Sequence, residues 1–156
     1  MNAVDIPDFG AYEIEHLVCD FNGTLAVDGE LLPRVAESLN DLARSVTVHV
    51  VTADTFGSAQ EALADVDCRI HRLRPDDQRH AKLAYLFVLG PSSSIAIGNG
   101  RNDVDMLRSA AVGIAVINAE GAAGETLAAA DVVCNNIGDA LALLHEPKRL
   151  LATLRA

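Results

Sequence analysis

Asp20 closes the apolar run His16-Leu17-Val18-Cys19, and Phe21-Asn22-Gly23-Thr24-Leu25 follows at once. An aspartate at the carboxyl edge of a parallel strand stands where open α/β sheets gather their ligand chemistry. A carboxylate there can attack a phosphoryl group and hold it as an acyl phosphate. Asn22-Gly23 frees the backbone to turn sharply and to approach an anion. The same dipeptide is a strong hairpin signal, so Asp20 read alone leaves a plain β-hairpin open.

Phosphoryl transfer to a carboxylate needs a nucleophile, a metal ion to relieve the charge clash, donors to the phosphoryl oxygens, and a cation that holds nucleophile and phosphate together. Asp20 is the candidate nucleophile. Mg²⁺ suits the metal role, as a hard ion that takes a few carboxylate or carbonyl oxygens and keeps several waters. Asp20, the backbone carbonyl of Asn22, Asn99 and Asp103 are its candidate ligands or the groups behind them. Thr52 ends an apolar run with a hydroxyl that can donate to a phosphoryl oxygen, and Lys82 can supply the cation. Each residue also has an ordinary reading. Thr52 is a β-branched strand residue, Lys82 a solvated helix lysine and Asp103 a helix N-cap. Gly98-x-Gly100 lacks the third glycine of a dinucleotide fingerprint. An EF-hand fails for want of its acidic ladder and closing glutamate. His16, His49, His71, His80 and His145 show no paired metal spacing.

The elements that must position these residues alternate along the chain. Glu13 to Cys19 reads as a strand, and Pro33 to Ala43 as a helix with Val35, Leu39 and Leu42 on one stripe and Pro33 in its first turn. Val46 to Val51 is a strand, Gly57 to Ala64 a helix, Cys68 to Leu73 a short strand, and Asp76 to Leu89 a helix closed by Gly90-Pro91. Ser94 to Ile97 is a strand, Val104 to Ala110 a helix, Val112 to Ile117 a strand, and Ala122 to Ala129 a helix. Asp131 to Cys134 is a strand, and Asp139 to Leu144 a helix that resumes after Pro147. Such alternation implies a Rossmann-like, doubly wound parallel sheet, an α/β fold covered on both faces. Three polar clusters fall at strand ends: Asp20 to Thr24, Thr52-Ala53-Asp54-Thr55, and Gly98-Asn99-Gly100-Arg101-Asn102-Asp103. One sheet brings all three to one edge.

Composition narrows the function. The chain has 156 residues, half of them hydrophobic, with no Trp. Residues 1–156 are expected to form one domain, its core built from Ala, Val, Leu and Ile. A formal net charge of −10 argues against nucleic acid and against an anionic membrane surface. A phosphate can still bind where a metal and backbone dipoles supply the positive field. Cys19, Cys68 and Cys134 lack ligand spacing and read as small buried residues in a reducing compartment. No stretch reaches the ~18 apolar residues of a membrane span, and Met1 to Asp5 does not read as a signal peptide. The expected location is the cytoplasm.

Taken together, Asp20-Phe21-Asn22-Gly23-Thr24-Leu25, Thr52, Lys82 and Gly98-Asn99-Gly100-Arg101-Asn102-Asp103 resemble the four motifs of the haloacid dehalogenase (HAD) superfamily, in order and across most of the chain. The nearest flavour is the phosphorylation domain of P-type ATPases, whose Thr-Gly-Asp and Gly-Asp-Gly-x-Asn-Asp are similar to Thr52-Ala53-Asp54 and to Gly98 through Asp103. The resemblance implies that Asp20, Asn22, Thr52 and Lys82 are catalytic. It implies a phosphate site of Asp20, Gly23, Thr52, Ala53, Lys82 and Asn102, and a Mg²⁺ site of Asp20, Asn22, Asn99 and Asp103. Asn102 would order the phosphate loop.

Two positions depart from the pattern. Most HAD phosphatases carry an acid-base aspartate two residues after the nucleophile. Asn22 stands there, and an amide neither takes nor gives a proton in this way. Asn99 stands where an aspartate ligand is usual, so it brings no charge to a metal. Both imply slow turnover or weak metal affinity. The segments from Thr24 to Thr52 and from Thr52 to Lys82 leave no room for a large cap, so the resemblance implies a capless member with an open site. Such a site serves a phosphorylated small molecule or a phosphoprotein, with a homo-oligomer expected to cover it through the Val27-Asp28-Gly29 turn or the C-terminal helix. A pump's membrane helices and nucleotide domain are missing, so ion transport is not expected. The main expectation is a slow Mg²⁺-dependent phosphohydrolase acting through an aspartyl-phosphate. The alternative is a catalytically weak module that binds Mg²⁺ or phosphate in a regulatory or interaction role. A receiver-like phospho-switch fits less well, because its acidic pair precedes the phosphorylated aspartate.

Overall fold

Asp20 ends the central strand of a six-stranded parallel sheet in the computed structural model, which describes residues 3–54 and 57–156. Among these residues the strands are β1 (Ala3–Ile6), β2 (Gly10–Glu13), β3 (His16–Asp20), β4 (Ala26–Val27), β5 (Glu30–Leu31), β6 (Thr47–Thr52), β7 (Arg69–Arg72), β8 (Ser94–Gly98), β9 (Val112–Val116) and β10 (Val132–Cys134). The helices are α1 (Val35–Leu42), α2 (Ser58–Ala62), α3 (Gln78–Leu89), α4 (Val104–Ser109), α5 (Gly124–Ala129), α6 (Ile137–His145) and α7 (Pro147–Leu154).

The sheet runs β10-β9-β8-β3-β6-β7, every pair parallel. The order reverses between β3 and β8, which is the switch point where doubly wound sheets open a crevice. Register places the chemistry there. Asp20 pairs with Val51 and Cys19 with Ile97, so Asp20, Thr52 and Gly98 end neighbouring strands at one edge. Alternation along the strands sends Leu17, Cys19, Val48, Val50, Ile95 and Ile97 to a face covered by α1, α2, α6 and α7. The other face presents smaller residues, Val18, Ala96 and Ala115, to Leu86 of α3 and to Met106 and Leu107 of α4.

The alternating strand and helix pattern matches the expected elements to within a few residues, with two additions. The first central strand begins at His16 and not at Glu13, because Glu13 ends an antiparallel hairpin with β1. Val4 and Ile6 alternate inward in that hairpin and join the core. The second addition is the hairpin β4–β5, closed by Asp28 and Gly29 at φ 53° and 80°, the backbone that a two-residue hairpin turn demands. Asn22-Gly23 makes no such turn. The amides of Leu25 and Ala26 both donate to the Phe21 carbonyl, and Gly23 N–H donates to the Ala26 carbonyl, which curls the chain into one tight loop. Thr55, one of the residues in the second polar cluster, lies outside the described residues. No helix among the described residues is long and apolar enough to cross a membrane.

A polar bridge ties the sheet to α3. His49 of β6 is fully buried; one ring nitrogen lies 3.0 Å from His16 Nδ1 and the other 2.8 Å from the Tyr85 hydroxyl. Tyr85 sits one turn beyond Lys82, so this bond ties α3 to the sheet next to the lysine. Burial, then His16 and Arg69, push the His49 ring down from 6.5 to about 4. The folded protein therefore holds His49 neutral where the unfolded chain would protonate it. That stabilisation is complete above pH 6.5 and is lost as the pH falls from 6.5 towards 4, up to about 3 kcal/mol in all. Denaturant unfolding at pH 7.5 and 4.5 should show this loss in the wild type and not in His49→Gln. Equal slopes in the two proteins would refute it.

Candidate active site

Asp20 and Lys82 meet through the fold, 62 residues apart in the chain. Lys82 points inward from α3 on the same stripe as Leu86, and only 1 % of it is exposed. Its ammonium donates to Asp20 Oδ1 and to Asp103 Oδ1, both at 2.8 Å, and to Asn102 Oδ1 at 3.2 Å. Thr24 Oγ1 lies on the other side of the carboxylate and donates to Asp20 Oδ2 at 3.1 Å and Asn99 Oδ1 at 3.2 Å. Asp20 is thus gripped from one side by a helix residue and from the other by its own following loop.

Two buried carboxylates share one lysine, and the charges respond accordingly. Burial and the nearby Asp103 raise Asp20 to about 6, against the opposing pull of Lys82 and Thr24. Burial alone would drive the lysine down, but Asp20 and Asp103 hold it above its ordinary value. The lysine is a fixed cation beside a carboxylate, the pairing that an incoming phosphoryl dianion needs.

Asp103 does not behave as a plain N-cap. Its Oδ2 accepts from the backbone amides of Asn99 and Gly100, both at 3.0 Å, while Oδ1 faces Lys82. Both of its oxygens are engaged. Gly98 makes this possible, since a Cβ there would collide with the Asp103 carboxylate. Gly23 has a similar duty: it sits at φ 82°, and a Cβ would strike the Asn99 amide. Asn102 turns its carbonyl to Lys82 and donates from Nδ2 to Gln78 Oε1 at 3.0 Å. Thr52 Oγ1 accepts from Asp54 N–H at 3.1 Å, which leaves its hydroxyl proton free to donate elsewhere.

Asp20, Asn22, Thr52, Ala53, Asn99 and Asn102 line one open cleft of about 460 Å³, together with Asp54, Gln78, Gly100 and Glu120. Lys82 and Asp103 are buried and reach this lining only through their bonds to Asp20, Asn102, Asn99 and Gly100. A metal can be weighed against these donors. Asp20 Oδ2 and Asn99 Oδ1 converge on one hydroxyl, on the side of Asp20 away from the lysine. Among the described residues no group of three or more His, Cys, Asp or Glu side chains could hold a metal. The donors on that side, Asp20 Oδ2 and Asn99 Oδ1, are oxygens with one charge between them, a set that suits a hard ion keeping several waters.

Several residues of the site escaped the sequence reading. Thr24 lay within the first cluster but had no assigned role. Gln78 steadies Asn102. Asn118, just past β9, donates from Nδ2 to the carbonyls of Gly23 and Thr24 at 3.0 and 2.7 Å and accepts from Ile137 N–H. Thr126 donates to the Gly100 carbonyl at 2.7 Å. Their signal was position alone: Asn118 follows another strand at the same sheet edge.

Comparison with known proteins bears on the family and on the fold. Residues 81–142 match the haloacid dehalogenase-like hydrolase family. An uncharacterized protein of Methanocaldococcus jannaschii, MJ0073, is 42% identical over 91 residues, which cover 56% of this chain and 98% of that protein. The fold is shared with the 3-deoxy-D-manno-octulosonate 8-phosphate phosphatase of Moraxella catarrhalis, solved with magnesium, phosphate and its KDO molecule. There the TM-score is 0.71 at 16% identity, over 91% of this chain and 94% of that one. It is also shared with the cobalt-bound deoxy-D-mannose-octulosonate 8-phosphate phosphatase of Haemophilus influenzae, at TM-score 0.67 and 14% identity over 90% and 89% of the two chains.

Proposed function

The chain belongs to the haloacid dehalogenase-like hydrolases, and we propose that it is a Mg²⁺-dependent phosphohydrolase that works through an aspartyl-phosphate on Asp20. The observation that carries this reading is the grip on Asp20. One carboxylate sits at the switch point with a buried ammonium at 2.8 Å on one oxygen and a hydroxyl at 3.1 Å on the other.

In this reading Asp20 attacks the phosphorus of a phosphomonoester. Lys82 and the Thr52 hydroxyl hold the phosphoryl oxygens, with the backbone at Gly23 and Ala53 and the Asn102 side chain shaping the loop around them. Mg²⁺ would be held by Asp20, the Asn22 carbonyl and Asn99, and when bound it supplies positive charge against the phosphoryl group. Asp103 enters the reading as the partner of Lys82 and of the Asn99 and Gly100 amides, beside the metal role expected from the sequence. Water then cleaves the acyl phosphate. The expected substrate is a phosphorylated small molecule or a phosphoprotein that reaches an open cleft.

The test is turnover of p-nitrophenyl phosphate with and without Mg²⁺, paired with trapping of the acyl phosphate. Slow turnover that chelator abolishes, and a phosphoryl group recovered on Asp20, are expected. Asn99→Asp should lower the Mg²⁺ concentration needed for half-maximal rate, because it restores a charged oxygen. Activity indifferent to chelator would remove the metal from the reading. Absence of both turnover and trapped phosphate would leave the binding-module alternative.

A further inference from the structure

The site has a nucleophile but no proton-transfer group at Asn22. Hydrolysis of an acyl phosphate still needs a group that takes the proton of the attacking water. Three carboxylates line the cleft: Asp20, Asp54 and Glu120. Asp20 is the nucleophile. Asp54 is committed to α2, where its Oδ2 accepts from Ser58 Oγ at 3.0 Å and Ala59 N–H at 2.8 Å. Glu120 remains, and it is exposed on the wall of the cleft.

The backbone that carries it is well held. Glu120 lies within a tight turn, Asn118 to Gly121, closed by Gly121 N–H donating to the Asn118 carbonyl at 2.9 Å, with Gly121 at φ 75°. Both ends of the turn are bonded to the proposed machinery. Asn118 holds the Gly23 and Thr24 carbonyls of the nucleophile loop. Asn99 Nδ2 donates to the Gly121 carbonyl at 3.1 Å, and Ala123 N–H donates to the Asn99 carbonyl at 2.9 Å. These bonds tie the turn to the loops that carry Asp20 and Asn99, and Glu120 stands on that turn in the wall of the same cleft.

We propose that Glu120 is the general base for hydrolysis of the Asp20 phosphate, standing in for the carboxylate absent at Asn22. The proposal rests on the aspartyl-phosphate reading above. In the step, the water oxygen forms a bond to phosphorus while Glu120 accepts one water proton. The bond between phosphorus and the Asp20 oxygen breaks, and its electron pair returns to the Asp20 carboxylate. Inorganic phosphate leaves, and Glu120 passes the proton to solvent.

Steady-state turnover and the phosphorylated fraction of the full chain, both with p-nitrophenyl phosphate and saturating Mg²⁺, test this. Glu120→Gln should lower kcat by ~10²–10⁴-fold and raise the fraction of chain trapped as phosphoenzyme, with an unchanged unfolding midpoint. Adding Asn22→Asp to Glu120→Gln should restore much of kcat and drain the trapped phosphate. Unchanged kcat in Glu120→Gln would overturn the proposal. So would a phosphoenzyme level that falls with kcat, which would place the defect before hydrolysis, or an effect confined to the Mg²⁺ requirement. A double variant as slow as Glu120→Gln alone would also overturn it. Wild type with neither turnover nor phosphoenzyme would fail the aspartyl-phosphate reading itself, a result distinct from an active wild type that ignores Glu120.

Discussion

Asp20→Asn should lower phosphoryl transfer by ~10⁴-fold or more, the scale seen when a covalent nucleophile is removed. An amide oxygen is a poor nucleophile, and the carboxylate that shares its lysine is not placed to take over. Asp103 sits on the far side of Lys82 with both oxygens engaged. The fold should survive. Asp20 is a buried carboxylate already raised to about 6 by burial and by Asp103, so a neutral side chain of the same shape removes a charge that the site disfavours. Lys82 keeps Asp103 and Asn102 as partners. The check is turnover with p-nitrophenyl phosphate, recovery of the phosphoenzyme, and the unfolding midpoint. A variant that turned over like wild type would end the nucleophile assignment.

Lys82→Met should be costly in two ways. It removes the cation from the phosphate site, so activity should fall to background. It also leaves Asp20 and Asp103 buried at the same edge with no counter-charge. Breaking a buried ion pair by deleting one partner costs about 3–5 kcal/mol, enough to matter in a domain whose whole stability is roughly 5–15 kcal/mol. The pH dependence identifies the cause. Without the lysine the Asp20 carboxyl should rise further above its unfolded value. A carboxyl raised on folding favours the folded state at low pH, and that advantage is lost as the pH climbs through the raised value. The stability gap to wild type should therefore be largest near pH 8 and close as the pH falls through about 6 towards 4. A gap that stays constant across this range would mean that lost packing, not lost charge, was responsible.

The sequence by itself determined the alternation of strand and helix, because 2-residue and 3.6-residue periodicities of apolar side chains are local properties. It also determined that Asp20, Thr52 and Asn99 would stand together. Each follows a buried apolar strand, and parallel strands deliver their carboxyl ends to one edge. The two small hairpins were less legible. β1 and β2 have only four residues each, and the strands that flank the Val27-Asp28-Gly29 turn have only two.

The tertiary structure alone decided what each polar group faces. Asp103 belongs to a string that resembles a metal motif, yet its carboxylate goes to Lys82 and to two amides. A carboxylate orients towards whichever donors surround it, and here one comes from a helix 21 residues away and two from a loop held open by Gly98. Nothing in the spacing of Lys82 tells whether it points to solvent; packing of Leu86 on the sheet and the bond between His49 and Tyr85 are tertiary contacts. Asn118 and Glu120 carried no motif at all. They matter because β9 ends beside β8, so the loop after it is pressed against the nucleophile loop. That adjacency is a product of strand order, a long-range property that local pattern does not encode.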